Sequence, residues 1–225
     1  MKRILLVLAG VLALGAAGVG VAVWRATSPT HGPRIEAGRS GKALLIIDLQ
    51  EDYTGPHAKQ PYAQADRLIA AANQLSAAAR AGGWPVFFVK VTMPDDWYHG
   101  MMTGFTAIAG TRGAELDARL ERPPGAVEIA KTTADAFGNP ALDAQLAKAR
   151  IGELYVAGVD AAFCVAATIG GARNRGFVVN AVREGIDTRH GTKLEALFER
   201  YRAMGAVMKS LDQATKELGA ATSPP

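Results

Sequence analysis

Four short and nearly unbroken apolar runs decide what this chain can become. They are "ALLIIDL" (43–49), "PVFFVKV" (85–91), "ELYVAGV" (153–159) and "FVVNAV" (177–182). A strand with one wet face alternates polar and apolar residues; these runs do not, and so read as strands covered on both faces. "AVEIA" (126–130) adds a shorter strand. The segments between carry a helical period instead. "YAQADRLIAAANQLSAAARAGG" puts Leu68, Ala72, Leu75 and Ala79 on one face and stops at Gly82 and Gly83. "NPALDAQLAKAR" offers Asn139 as N-cap and Pro140 at the first helical position. "FCVAATIGGARNRG" reads as a helix after the fourth strand, and "TKLEALFERYRAMG" and "SLDQATKELG" as two closing helices. Strand and helix in alternation predict an α/β domain of three layers, α-β-α, around a mainly parallel sheet of five strands. With 225 residues, 49% of them hydrophobic, the chain has enough apolar material for one sizeable core.

The first 42 residues follow another logic. Lys2 and Arg3 precede an uninterrupted apolar run from Ile4 to Trp24, about the 20 residues a helix needs to cross a bilayer. Residues 1–24 therefore read as an apolar helix ahead of the domain, either a signal anchor or a signal peptide. The anchor reading predicts a membrane-attached protein whose domain is exported; a cytoplasmic-face or soluble domain is the alternative, because Arg25, Arg34, Arg39 and Lys42 also lie close to the run. Residues 25–42 are rich in Pro, Gly and Ser and read as a flexible linker. The folded domain is expected over 43–218, with a disordered tail at 219–225. Net charge is +4, but the cations are scattered and no basic face with interleaved aromatics emerges, so a nucleic-acid partner is not expected.

The single cysteine, Cys164, cannot form an internal disulfide. It opens a helix just past an apolar strand, at the sheet edge where ligands of such folds bind. Asp48 at the end of the first strand and Lys131 after the third fall at the same edge. Each has an ordinary reading: a turn aspartate, a solvated lysine, a small buried thiol. Together they are chemically complete. A carboxylate can take the proton of a thiol, and an ammonium and a helix start can support the resulting anions. That setting predicts a thiol of lowered pKa.

"LLIIDLQEDY", "KTTADAF" and "VAGVDAAFCVAATIGGARNRGF" resemble the signature segments of the isochorismatase-like cysteine hydrolases, among them nicotinamidases and N-carbamoylsarcosine amidohydrolase. The resemblance runs from about Ala43 to Leu218. It implies a Rossmann-like, isochorismatase-like fold, and it places a short sixth strand near Val207. It implies a catalytic triad of Asp48, Lys131 and Cys164, and a cis peptide between Val159 and Asp160 that turns the backbone N–H groups of Asp160 and Cys164 towards an oxyanion. The implied activity is hydrolysis of the C–N bond of a small, non-peptide amide through a thioester, with no cofactor, in a protein that by family analogy is a homo-oligomer. A membrane-tethered binding or scaffolding domain that keeps the fold without turnover is the alternative. Gln50, Tyr53, Trp97, Phe137 and Phe163 are candidate walls of the substrate pocket. One departure stands out. Nicotinamidases of this family bind a metal through a D-x-H pair and a further His, whereas "KVTMPDDWYHGMMTGF" offers Asp95, Asp96 and His99 at another spacing. No metal is expected.

Overall fold

The structure, a computed structural model, describes residues 26–189 and 193–220. The apolar run expected to form an N-terminal helix, and most of the expected tail, lie outside the described residues. Six parallel strands form one sheet in the order β3-β2-β1-β4-β5-β6. They are β1 (Gly41–Ile47), β2 (Val86–Val91), β3 (Val127–Lys131), β4 (Ile151–Gly158), β5 (Val178–Ile186) and β6 (Val207–Lys209). The helices are α1 (Ala65–Ala81), α2 (Trp97–Thr103), α3 (Pro140–Lys148), α4 (Ala166–Arg175), α5 (Leu194–Ala203) and α6 (Leu211–Gly219).

The unbroken apolar runs acquire their cause in the layering. In β1, Ala43, Leu45 and Ile47 pack with Leu142 and Leu146 of α3, Ile169 of α4 and Leu197 of α5. Leu44 and Ile46 point the other way, onto Leu68 and Leu75 of α1 and Leu218 of α6. Each strand of this kind buries both pleat faces, so neither can be polar. α3 begins as its sequence implies, with Asn139 accepting the N–H of Ala141 at 2.9 Å and Pro140 following. α6 opens with a reciprocal capping box between Ser210 and Gln213.

Residues 26–40, which composition marks as a loose linker, are fastened to the domain instead. The N–H and Oγ1 of Thr30 both donate to Asp135 Oδ2 at 2.7 Å. Arg175, almost fully buried, donates to Thr30 Oγ1 at 3.0 Å and to Asp143 Oδ1 at 2.8 Å, and Ile35 N–H donates to Arg175 O at 2.8 Å. Pro and Gly deny this strap a regular structure, yet its backbone groups still find partners. β1 accordingly starts two residues before Ala43.

At the carboxyl edge β1 and β4 approach closely. Ile47 is paired with Gly158, which has φ of 126°, and a Cβ there would lie 2.0 Å from Ile47 O. Only glycine fits. The next peptide bond, Val159–Asp160, is cis, as the resemblance implied.

Candidate active site

Three strand ends deliver Asp48, Lys131 and Cys164 to one place. Asp48 is the first residue past β1 and has a left-handed backbone, φ 55°, which aspartate tolerates better than most residues. Its N–H donates to Val89 O at 2.9 Å, which fixes the turn against β2. Lys131 is the last residue of β3 rather than a residue after it. β2 lies between β3 and β1, so the long lysine side chain crosses the end of β2 to reach Asp48. Its Nζ donates to Asp48 Oδ2 at 2.8 Å, with both side chains almost wholly buried.

Cys164 belongs to a single π-turn, Ala161–Val165, that leads directly into α4; such turns recur at functional sites. The residue is half-buried, and its thiol is close enough to Asp48 and Lys131 for electrostatic coupling with both. Yet Asp48 Oδ1 is buried and completes no hydrogen bond among the described residues. A buried carboxylate oxygen left open beside a thiol is the natural seat for the thiol's proton.

The electrostatics correct one expectation. Burial pushes the Cys164 thiol up from 9.0 to about 12; the Lys131 ammonium pulls it down, but the Asp48 charge pushes it up again. The resting thiol is therefore protonated, not the low-pKa thiolate that its position suggests. For Lys131, burial favours the neutral form, but the Asp48 carboxylate and the neighbouring sulfur outweigh it, so the ammonium is held more firmly than in water. Tyr53, pushed up to about 12 by burial and then by the Asp48 charge, presents a neutral phenol.

A cavity of about 250 Å³ lies over the thiol, walled by Tyr53, Tyr62, Val159, Asp160 and Arg189 above Asp48 and Cys164. Of the pocket walls read from sequence, Tyr53 takes its place there. Gln50 does not: it is fully buried, donates to Val91 O and Ala114 O at 2.8 Å and accepts from Val91 N at 2.9 Å. It ties the end of β2 to the turn at Ala114. Phe137 packs in the core against Phe177, with the Arg175 guanidinium 4.4 Å from its ring centre. Trp97 is 74% exposed on α2 and Phe163 43% exposed beside the thiol; neither walls the cavity.

Two wall residues, Tyr62 and Arg189, went unread in the sequence. Arg189 follows β5, its guanidinium 4.1 Å from the ring centre of Tyr62 and 5.7 Å from that of Tyr53, a cation–π arrangement. Among the described residues walling the cavity it is the one cation. Asp160 holds it there. The Asp160 carboxylate accepts from Tyr62 Oη at 3.0 Å, Thr188 Oγ1 at 2.9 Å, Arg189 N at 3.1 Å and Ala162 N at 2.7 Å. One side chain thus clamps the loop after β5 to the turn that carries Cys164. An arginine just past a strand's carboxyl end was the available clue.

Asp96 and His99 are hydrogen-bonded to each other. Asp96 caps α2 by accepting the His99 N–H at 2.9 Å, and its second oxygen meets His99 Nδ1 at 2.7 Å. Among the described residues no three His, Cys, Asp or Glu side chains converge.

Known proteins share this architecture. N-carbamoylsarcosine amidase of an Arthrobacter species is 32% identical over 158 residues, 65% of this chain and 60% of that protein. Streptothricin hydrolase of Streptomyces noursei is 33% identical over 144 residues, 64% of this chain and 53% of that protein. The chain thus spans little more than half the length of these two relatives. The crystal structure of the nicotinamidase/pyrazinamidase PncA of Bacillus subtilis superposes with a TM-score of 0.67 at 25% identity, over 75% of this chain and 99% of that one. Residues 42–213 match the model of the isochorismatase domain, and the chain belongs to that family.

Proposed function

We propose that the protein hydrolyses the C–N bond of a small-molecule amide, with Cys164 as nucleophile and a thioester as intermediate. The observation that carries this reading is the meeting of a protonated thiol and an open carboxylate oxygen on the floor of one small cavity, with a buried ammonium hydrogen-bonded to the same carboxylate.

The thiol attacks the carbonyl carbon as Asp48 takes its proton, so a C–S bond forms without a free thiolate ever standing in the resting site. The backbone N–H groups of Asp160 and Cys164 are the assigned donors to the oxyanion, and donors of that kind are worth about 10²–10³ in rate each. Asp48 then passes its proton to the departing nitrogen, the C–N bond breaks, and ammonia or an amine leaves. Water enters, gives a proton to Asp48 and its oxygen to the acyl carbon. The C–S bond breaks, the sulfur recovers the proton, and a carboxylic acid departs. Lys131, fixed beneath Asp48, keeps the pocket from holding two uncompensated anions as charge builds on the sulfur and the oxygen.

The wall adds a preference. Arg189 faces the space above the thiol with two aromatic rings beside it, a setting suited to a planar anion such as a carboxylate. Two of the relatives are named an N-carbamoylsarcosine amidase and a streptothricin hydrolase, which supports the reaction class. The test is an ammonia-release screen of the full chain against neutral carboxamides and N-carbamoyl acids, with Cys164→Ala as control. Turnover lost in the control, with acidic amides preferred and that preference lost in Arg189→Gln, is expected. A binding-only protein would retain such ligands without releasing ammonia, and that result would overturn the reading.

A further inference from the structure

α2 is the part of the molecule least like the surface of an isolated globular domain. Trp97, Tyr98, Met101 and Met102 on the helix, with Phe105 just beyond it, are each half or more exposed. Within the helix only Gly100 is buried. Five large apolar side chains exposed within nine residues are a cluster of the kind that marks an interaction site. The mix is telling: Trp and Tyr favour the boundary between water and hydrocarbon, and Met adapts to an irregular, yielding surface.

The path of the chain says what this patch meets. The described structure begins at Ala26, whose carbonyl accepts the N–H of Ala134 at 2.8 Å. Ala134 lies three residues past β3, at the carboxyl edge of the sheet. α2 follows β2 at the same edge, and the two strand ends are joined by Thr92 N–H donating to Lys131 O at 2.8 Å. The run from Ile4 to Trp24 has the length and apolarity to enter a bilayer. Only two residue steps separate Trp24 from Ala26, a reach of at most about 7 Å. With that run in a bilayer, a domain held so closely could not stand away from the lipid, and the edge nearest the attachment is the one that carries α2.

We propose that Trp97, Tyr98, Met101, Met102 and Phe105 rest on the surface of a lipid bilayer into which Ile4–Trp24 inserts, so that the carboxyl edge of the sheet faces the headgroups. Phe105 also lines a second cavity, about 300 Å³, that shares Arg189 with the cavity over the thiol. The lipid-facing segment is thereby one wall of the approach to Cys164, and substrate enters along the membrane interface.

The chain's three tryptophans, Trp24, Trp84 and Trp97, allow a direct test on the full-length protein. In a Trp24→Phe/Trp84→Phe chain, Trp97 is the sole emitter; phosphatidylcholine vesicles with nitroxide groups near the headgroup are the probe. The expected result is flotation with the vesicles, a shift of Trp97 emission to shorter wavelength and its quenching by the nitroxide. A Trp24→Phe/Trp97→Phe chain serves as control, because Trp84 precedes β2 at the opposite edge and is to remain unquenched. A chain that floats while Trp97 stays open to aqueous iodide and untouched by nitroxide overturns the docking of α2 but leaves the insertion of Ile4–Trp24 standing. A chain that does not float overturns both. Trp97 shielded from both quenchers, with α2 cross-linked to α2, would mean that a second copy covers the patch, and would overturn the lipid assignment.

Discussion

Removing the Asp48 charge should make Cys164 more reactive towards an alkylating agent while it destroys turnover. The thiol stands at about 12 against an ordinary 9.0, first because it is buried and then because Asp48 repels its anion; Lys131 pulls the other way. Three pH units mean about 1000-fold less thiolate than an ordinary cysteine at any pH well below 9, since each unit is a factor of ten. Asp48→Asn removes the repulsion and leaves the Lys131 attraction unopposed by a carboxylate, so the thiol pKa falls. Because the chain has one cysteine, mass-detected iodoacetamide labelling reports that site alone. Wild-type labelling should be slow and rise without an inflection between about pH 7 and 10, and Asp48→Asn should label faster at every pH in that range. Amide turnover should move the opposite way, because the substitution removes the group that carries the proton from sulfur to nitrogen. A wild-type inflection near the ordinary thiol value, or labelling that slows in Asp48→Asn, would refute a protonated resting thiol governed by these two neighbours.

Lys131→Met strands the buried Asp48 carboxylate and should cost about 3–5 kcal/mol of stability in denaturant melts; adding Asp48→Asn should restore part of that loss and none of the activity. At alkaline pH the unfolded thiol ionises first, near 9.0, while the folded one holds its proton to about 12. The stabilising contribution is thus complete below about pH 9 and lost as pH rises towards 12, and thermal melts of wild type should fall more steeply across that window than those of Cys164→Ser. Lys131 shares the direction of this loss and is itself held partly by the Cys164 sulfur, so the difference reports the coupled thiol and ammonium together. Arg175→Met removes the side chain that fastens Thr30, and limited proteolysis should then cut after Arg34 before the remaining domain is touched.

The sequence was most informative where burial leaves few choices. Runs such as "ALLIIDL" must be strands covered on both faces, and their order forces Asp48, Lys131 and Cys164 to one edge. Side chains whose role depends on distant loops were harder to read. Gln50 stands two residues past Asp48 and looks like a pocket residue, but its amide is spent on Val91 and Ala114. Phe137 sits beside the site in sequence and inside the core in space. Arg189 belongs to no periodic element, and it becomes a wall of the cavity only through Asp160, 29 residues earlier. The strap at 26–40 misled for a related reason: composition reports the absence of helix and strand, not the absence of partners, and Asp135 and Arg175 supply them from afar.

Hydrogen peroxide and related oxidants attack sulfur chiefly in its ionised state. By letting burial and a carboxylate keep the proton on Cys164 until an acyl group arrives, this pocket gives its one sulfur a shelter that a permanently charged nucleophile would lack, so the same arrangement that delays ionisation also slows conversion to the sulfenic acid.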